Sequence, residues 1–373
     1  MTKPHYPIKT ALIYGYEPSG HLCAAKAIAD FLPPSVIEPV FINLSEIYPK
    51  LGPFVVKIYL EILHKTPALW NYTYDNSSIA ITAKKIKTAF MPFYSKKLQN
   101  YLIKKKIKAV ISTHALSSIM LSKRQGSLKN IPHFGVITDM NIHTYWPNEG
   151  INLYFTPDSS IKKEGILPEN IIASGIPIRK EFMEIIPADI AKKSISLNAK
   201  IFTVLLTGGT KGLGDIEDAT RELKKHLGKI QLIVFCGGNK KLYNKLQKEN
   251  TDKKHLVILN FTNSPSKYYM ASDLIIGKPG GITISETLAL KKPLIVFSPL
   301  PGQEERNTDF LLKHHLAIYI KTPKDIGNLI LKILSGEETF KLYKEHAEKF
   351  SKPYAAKTIA SAIMDDLLQT EPN

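Results

Sequence analysis

Residues 274–290 read LIIGKPGGITISETLAL. An apolar run, Leu274–Ile276, stops at Gly277-Lys278-Pro279-Gly280-Gly281, where the glycines turn the chain. Thr283 or Ser285 then starts or lines a helix, and Glu286 falls in its first turns. A strand that turns into a helix in this way is the repeating unit of a parallel sheet with crossover connections. A carboxylate at the position of Glu286 suits two hydrogen bonds from a ribose diol. It equally suits an acid that complements a helix dipole.

The same pattern recurs outward from this stretch. Phe202–Leu206 is an apolar run followed by Thr207-Gly208-Gly209-Thr210-Lys211-Gly212-Leu213-Gly214, the arrangement of a phosphate cradle. It is not a Walker A loop, because Gly212 and not Ser or Thr follows Lys211, and its G-x-x-G-x-G order is not the dinucleotide fingerprint. Near the start, Ile8–Tyr14 leads into Gly15-Tyr16-Glu17-Pro18-Ser19-Gly20-His21 and then a helix. His21 at that helix start is placed to act as a base on a hydroxyl, although histidines beside turns are more often structural. Further runs at Val36–Ile42, Ala109–Ser112, Phe134–Thr138, Leu153–Thr156, Leu232–Phe235, Val257–Leu259 and Leu294–Phe297 read as buried strands. Pro299-Leu300-Pro301-Gly302-Gln303-Glu304-Glu305-Arg306-Asn307 follows the last of these with groups suited to sugar hydroxyls.

Two consecutive strand–helix sets predict an α/β chain of two doubly wound domains. The break falls at Gly175-Ile176-Pro177-Ile178-Arg179, with Pro187 soon after. This gives 1–177 and 178–350 as the two domains and 351–373 as a helix returning to the first.

The 373 residues, 44% hydrophobic and 22% charged, suffice for two ordinary cores. Cys23 and Cys236 form no CxxC pair and no zinc spacing, so they read as reduced thiols. The Ala11–Tyr14 run is too short for a leader, and no stretch has the 18 or so apolar residues of a spanning helix. The expectation is a cytoplasmic protein with peripheral membrane contact. The net charge of +17 favours a polyanionic partner. Residues 50–110 concentrate that charge, with 12 Lys against two acids, interleaved with apolar residues at helical spacing. They form either amphipathic helices with a solvated basic face or a surface lying on an anionic bilayer. No nucleic-acid recognition signature is present.

The order and spacing of these blocks resemble the monogalactosyldiacylglycerol synthases and processive diacylglycerol glucosyltransferases. The resemblance covers most of the chain. It is strongest over 277–307, clear at VITDMNIHTYW (136–146) and SGIPIRKEF (174–182), and weaker at 15–29. It implies a GT-B glycosyltransferase of family 28 type: two Rossmann-like domains with a cleft between them, the acceptor held by the first and the donor by the second. On the residues that match, His21 is the acceptor-site base, with Asp139 its rival. Glu286 meets the ribose, Gln303 and Glu304 the donor sugar, and Phe261 the uracil. Gly208, Gly209, Gly280, Gly281 and Thr283, with Arg179, meet the diphosphate. Lys211 stands where relatives often have small residues and adds a phosphate contact. Gly20, His143 and Trp146, with Lys84, Lys85, Phe90, Phe93, Lys96 and Lys97, make the acceptor and membrane side. UDP-glucose or UDP-galactose is the expected co-substrate, diacylglycerol the expected acceptor, and neither a cofactor nor a metal is required. Rival readings are a UDP-sugar epimerase on the same fold, a transferase to another acceptor, and a non-catalytic sensor of nucleotide sugars.

Overall fold

The computed structural model describes residues 7–49, 94–143 and 145–370. They fall into two compact units, one of residues up to Arg179 together with those from Tyr354 onward, the other Lys180–Pro353.

The first unit is a parallel sheet of six strands in the order β2-β1-β3-β4-β5-β6. They are β1 (Ile8–Tyr14), β2 (Ile37–Asn43), β3 (Ala109–Ser112), β4 (His133–Val136), β5 (Leu153–Phe155) and β6 (Ile171–Ile172). Ala109–Ser112 is buried at every residue and Ile8–Tyr14 at its last five, which is why these stretches read as continuous apolar runs. Ser19 caps the Gly20–Ala29 helix, its Oγ accepting from Leu22 N–H at 3.2 Å. That helix packs against Ala355–Thr370. The last helix thus completes the core of the first unit, where Ile359 and Ile363 are fully buried beside Leu12, Ile28, Ile111 and Phe134. Burying each such side chain is worth about 1.5–3 kcal/mol. The helix at 94–104 puts Leu98 and Leu102 into a second core cluster and leaves Lys96, Lys97, Ile103 and Lys104 exposed.

The second unit is also a parallel sheet of six strands, in the order β12-β11-β10-β7-β8-β9. They are β7 (Phe202–Thr207), β8 (Ile230–Phe235), β9 (Leu256–Leu259), β10 (Leu274–Gly277), β11 (Leu294–Phe297) and β12 (Ile318–Ile320). Asp273 braces the amino ends of the central strands, accepting from Lys192 Nζ at 2.6 Å and from Thr203 N–H at 2.8 Å.

Each sheet therefore reverses its strand order beside its first strand: between β1 and β3 in one unit, between β7 and β10 in the other. Doubly wound sheets bind ligands outside the carboxyl ends of the strands at such a switch point. The doubly wound α/β class expected from the sequence is the one observed. The short edge strands β6 and β12 were not anticipated. Among the described residues no helix is long and apolar enough to cross a membrane. Lys84, Lys85, Phe90 and Phe93, assigned to the membrane side, lie outside the described residues.

Candidate active site

At the carboxyl edge of the first sheet, the turn after β1 delivers His21 to the start of the Gly20–Ala29 helix, directly after Gly20. Its ring meets the loop that follows β3. His21 Nδ1 lies 2.6 Å from the carbonyl oxygen of Thr113, and Thr138 Oγ1 is 3.1 Å from the same nitrogen. A carbonyl only accepts, so Nδ1 carries the proton and Nε2 holds the free lone pair. Burial lowers the His21 pKa to about 4, against the weaker opposing pull of the Thr113 carbonyl. The ring is therefore neutral at pH 7, with a basic nitrogen available. Thr113 also donates from Oγ1 to the His21 carbonyl at 3.0 Å, locking the two segments together.

His114 stands edge-on to His21, with ring centroids 4.7 Å apart. Its Nδ1 accepts from Leu116 N–H at 3.1 Å, which caps the Ala115–Ser122 helix and leaves the ring proton on Nε2. Burial holds the His114 pKa well below its ordinary value, followed by the charges of His21 and His143. The close approach explains Gly15: a Cβ there would stand 3.1 Å from the His114 ring. Asp139 follows Thr138 directly, beyond the end of β4, and is part-buried. His143 is buried, and its Nδ1 accepts from Tyr145 N–H at 3.3 Å. Trp146 is 3% exposed and packs with Ala115, Ile137 and Tyr154, so it supports the wall behind His143 rather than forming a surface. Arg179, expected with the donor residues, belongs to this first unit and donates to Cys23 Sγ at 3.2 Å. Lys96 is exposed, and Lys97 Nζ donates to the Ile47 carbonyl at 2.5 Å.

The carboxyl edge of the second sheet is made differently. Gly209, Gly212 and Gly214 all have positive φ, and a Cβ on Gly212 would stand 1.9 Å from the Cys236 carbonyl oxygen. Only glycine fits that position. Gly208 precedes them at the end of β7, donating to the Phe235 carbonyl at 3.4 Å. Lys211 is half-buried on this loop, and burial, then the charge of Lys278, lowers its pKa. Beyond β10, Gly280 is the N-cap of the Gly281–Ala289 helix. The first N–H groups of a helix lack intrahelical acceptors, and Gly280 brings no side chain to cap them. A Cβ on Gly280 would meet nothing within 4 Å, so open space lies before the helix start. Two glycine turns, a lysine and a helix N-terminus at one switch point are the parts from which doubly wound folds build anion sites.

Thr283 is part-buried in the first turn of that helix and Glu286 is buried one turn on. Gln303 opens the Gln303–Lys313 helix. Glu304, expected to meet the donor sugar, accepts from Lys278 Nζ at 2.8 Å and from Leu300 N–H at 2.7 Å. Phe261 is 43% exposed, two residues beyond β9. The structure thus groups Gly208, Gly209, Lys211, Gly280, Gly281 and Thr283 at one edge. Sequence reasoning did not single out Thr113, His114, Thr138 or Lys278. The signal for Thr113 and His114 was present, since they directly follow an apolar strand at the edge where doubly wound sheets carry their sites.

Two doubly wound units, each with its switch point at the carboxyl edge of a six-stranded parallel sheet, have the architecture of the GT-B class. Residues 21–178 match the sequence model of monogalactosyldiacylglycerol (MGDG) synthase, and residues 203–361 match that of the glycosyltransferase family 28 C-terminal domain. The chain thus carries a region like monogalactosyldiacylglycerol synthase followed by a glycosyltransferase family 28 C-terminal region, and it is similar to processive diacylglycerol glucosyltransferases. A processive diacylglycerol beta-glucosyltransferase of Bacillus mycoides is 26% identical over 375 residues, covering 98% of this chain and 95% of the relative. MurG of Acinetobacter baumannii aligns in structure with a TM-score of 0.61 at 14% identity, over 96% of this chain and 100% of that one. A putative UDP-N-acetylglucosamine 2-epimerase of Listeria monocytogenes gives 0.61 and 14%, over 99% and 98%. Since a protein named as an epimerase fits as well as MurG, the structural likeness speaks for the fold alone.

Proposed function

We propose that this protein transfers a hexose from a UDP-sugar to the hydroxyl of a membrane lipid, diacylglycerol, in one inverting displacement. UDP-glucose or UDP-galactose is the donor, and the protein works peripherally on an anionic cytoplasmic membrane face. The acceptor hydroxyl gives its proton to His21 Nε2 as its oxygen bonds to the anomeric carbon. The bond from that carbon to the diphosphate breaks, and UDP leaves with the electron pair. The imidazolium so formed keeps its Nδ1 proton on the Thr113 carbonyl. Charge growing on the diphosphate is met by N–H groups of the 208–214 loop, the start of the Gly281–Ala289 helix, Arg179 and Lys211. Glu286 takes the ribose diol, Phe261 the uracil, and Gln303 with Glu304 the sugar.

The observation that carries this reading is the His21 tautomer: a carbonyl at 2.6 Å from Nδ1 leaves Nε2 as a free base at the switch point of the first sheet. Asp139 is the rival base. The lipid acceptor is supported by relatives named for diacylglycerol.

The test is UDP release by the purified protein from UDP-glucose or UDP-galactose, with and without diacylglycerol in anionic micelles. Release from one donor that depends on the lipid is expected. Release that depends on a different amphiphile would move the acceptor away from diacylglycerol. Epimerised UDP-sugar formed without lipid would replace the transferase reading with an epimerase.

A further inference from the structure

Three donor motifs that are far apart in sequence meet at Lys278. The residue leaves the sheet just past β10, in the Gly-Lys-Pro-Gly-Gly turn. Its Cδ lies 3.4 Å from where a Cβ on Gly214 would stand, and its Nζ is 2.8 Å from Glu304 Oε1. Lys278 is only 8% exposed. The other oxygen of Glu304 accepts from Leu300 N–H at 2.7 Å. Asn307, fully buried, donates from Nδ2 to the Pro279 carbonyl at 2.9 Å, bracing the same turn against the helix that bears Glu304.

An ionised carboxylate offers about four lone-pair sites. Here each oxygen has spent one of them on a fixed donor. A carboxylate held at both ends cannot swing, so its remaining lone pairs point in set directions. Such a group accepts a hydroxyl in one orientation and not in its epimer. This is how a buried polar group discriminates between ligands that differ in a single hydroxyl.

We propose that Lys278 is a positioning residue for donor choice: by pinning Glu304, it sets which hydroxyl orientation of the hexose is accepted, and it leaves the diphosphate to other groups. The proposal rests on the reading that Glu304 meets the donor sugar. A lysine beside a glycine-rich loop would otherwise be assigned to the diphosphate. Its Nζ is instead engaged by a carboxylate across the turn, whereas Lys211 sits on the glycine-rich loop itself.

The experiment compares binding of UDP, UDP-glucose and UDP-galactose by calorimetry, which needs no acceptor. It therefore reads the proposal even if the lipid assignment fails. In Lys278→Met, affinity for the preferred UDP-sugar should fall about tenfold or more and its advantage over the epimer should shrink, with UDP affinity within about twofold of wild type. Lys278→Arg should retain part of the discrimination. Removing one partner of a buried pair strands the other charge, so Lys278→Met can fail to fold. The double variant Lys278→Met/Glu304→Gln removes both charges and should bind UDP normally while losing discrimination. Loss of UDP affinity as large as the loss of UDP-sugar affinity would overturn the proposal, making Lys278 a diphosphate ligand. So would a wild-type protein that binds UDP and both sugars equally well, or a double variant that discriminates as well as wild type.

Discussion

At the carboxyl edge of β1, β3 and β4 stand His21, His114 and His143 with Thr113 and Thr138. At the carboxyl edge of β7 and β10 stand glycines at positive φ, Lys211 and the start of a helix. The two sheets have the same number of strands and reverse their order at the same place beside the first strand. The first sheet carries one strand on the far side of β1 and the second carries two on the far side of β7, but the chemistry at the two edges is set by the turns. The first edge keeps the rings of His21 and His114 neutral by burial and holds the His21 proton on Nδ1, which suits the handling of a proton at Nε2. The second edge sets the start of the Gly281–Ala289 helix beside a glycine turn and Lys211, which suits an anion. One class of scaffold thus carries either make-up, and the residues after the strands decide which.

The sharpest way to break this comparison is to remove the base from the first edge alone. His21→Ala should lower lipid-dependent UDP release by a factor on the order of 10²–10⁴ while UDP affinity stays at the wild-type value. Unchanged turnover would hand the role to Asp139. In the wild type, kcat/KM should lose activity on the acid side near pH 4, because His21 is in its base form above a pKa of about 4. An acid limb at the ordinary histidine value would contradict the buried geometry.

The second edge is tested through its glycines. Gly212→Ala brings a Cβ against the Cys236 carbonyl at 1.9 Å as well as a positive φ of 62°. Gly209→Ala carries the φ of 69° with nothing within 4 Å. Both pay backbone strain of about 1–3 kcal/mol, and only the first adds the clash. Gly212→Ala should therefore lose most UDP binding in calorimetry, with a lower melting temperature. Gly209→Ala should lose about tenfold or less in UDP affinity. Equal losses would mean that the loop is held by its φ angles alone.

The two edges were not equally legible in the sequence. The glycine turns announce themselves, because positive φ and close approach leave few other residues possible. The candidate base His21 was also visible, directly after a strand and a turn. Its partners were not. Thr113 and Thr138 reach His21 only because β3 lies beside β1 and β4 beside β3, and strand order is not written in local pattern. Lys278 and Glu304 are separated by a whole helix and a strand, Gly281–Ala289 and β11. The burial of Trp146 was not legible either, because a loop residue carries no periodicity to reveal it. Strands β6 and β12 escaped because they are only two and three residues long, at sheet edges.

Acid stability offers a further contrast. Burial lowers the pKa of His21 to about 4, that of His133 to about 3 with help from Arg124, and that of His114 well below its ordinary 6.5. All three belong to the first unit. In the unfolded chain these rings take up protons as the pH falls through 6.5, while the folded rings stay neutral down to their lowered values. Between those limits the unfolded state binds more protons, so stability falls as the pH falls. Each ring contributes up to about 1.4 kcal/mol per pH unit in that window. The urea midpoint at pH 5 should lie clearly below that at pH 7. A flat profile would mean that these rings are solvated.

The smallest expected effect concerns the membrane. The helix at 94–104 leads into β3, so its last residues lie toward the amino edge of the sheet. Its first turn lies at the other end, where Lys97 donates to the Ile47 carbonyl just beyond β2. Lys96 therefore stands toward the edge that carries His21, while Lys104 and Lys105 stand away from it, about 12 Å further along the helix axis. If the acceptor lipid enters at the carboxyl edge, charge near that edge should matter more than the same charge at the other end. A basic residue near an anionic surface is worth about 1 kcal/mol, so Lys96→Glu should weaken sedimentation with anionic vesicles roughly fivefold or more. Lys105→Glu should cost less. Equal losses would show that the lysines act as diffuse charge, and the carboxyl edge would then have no special place in docking. No binding to anionic vesicles by the wild type would remove the membrane contact altogether and leave the lipid to be presented from solution.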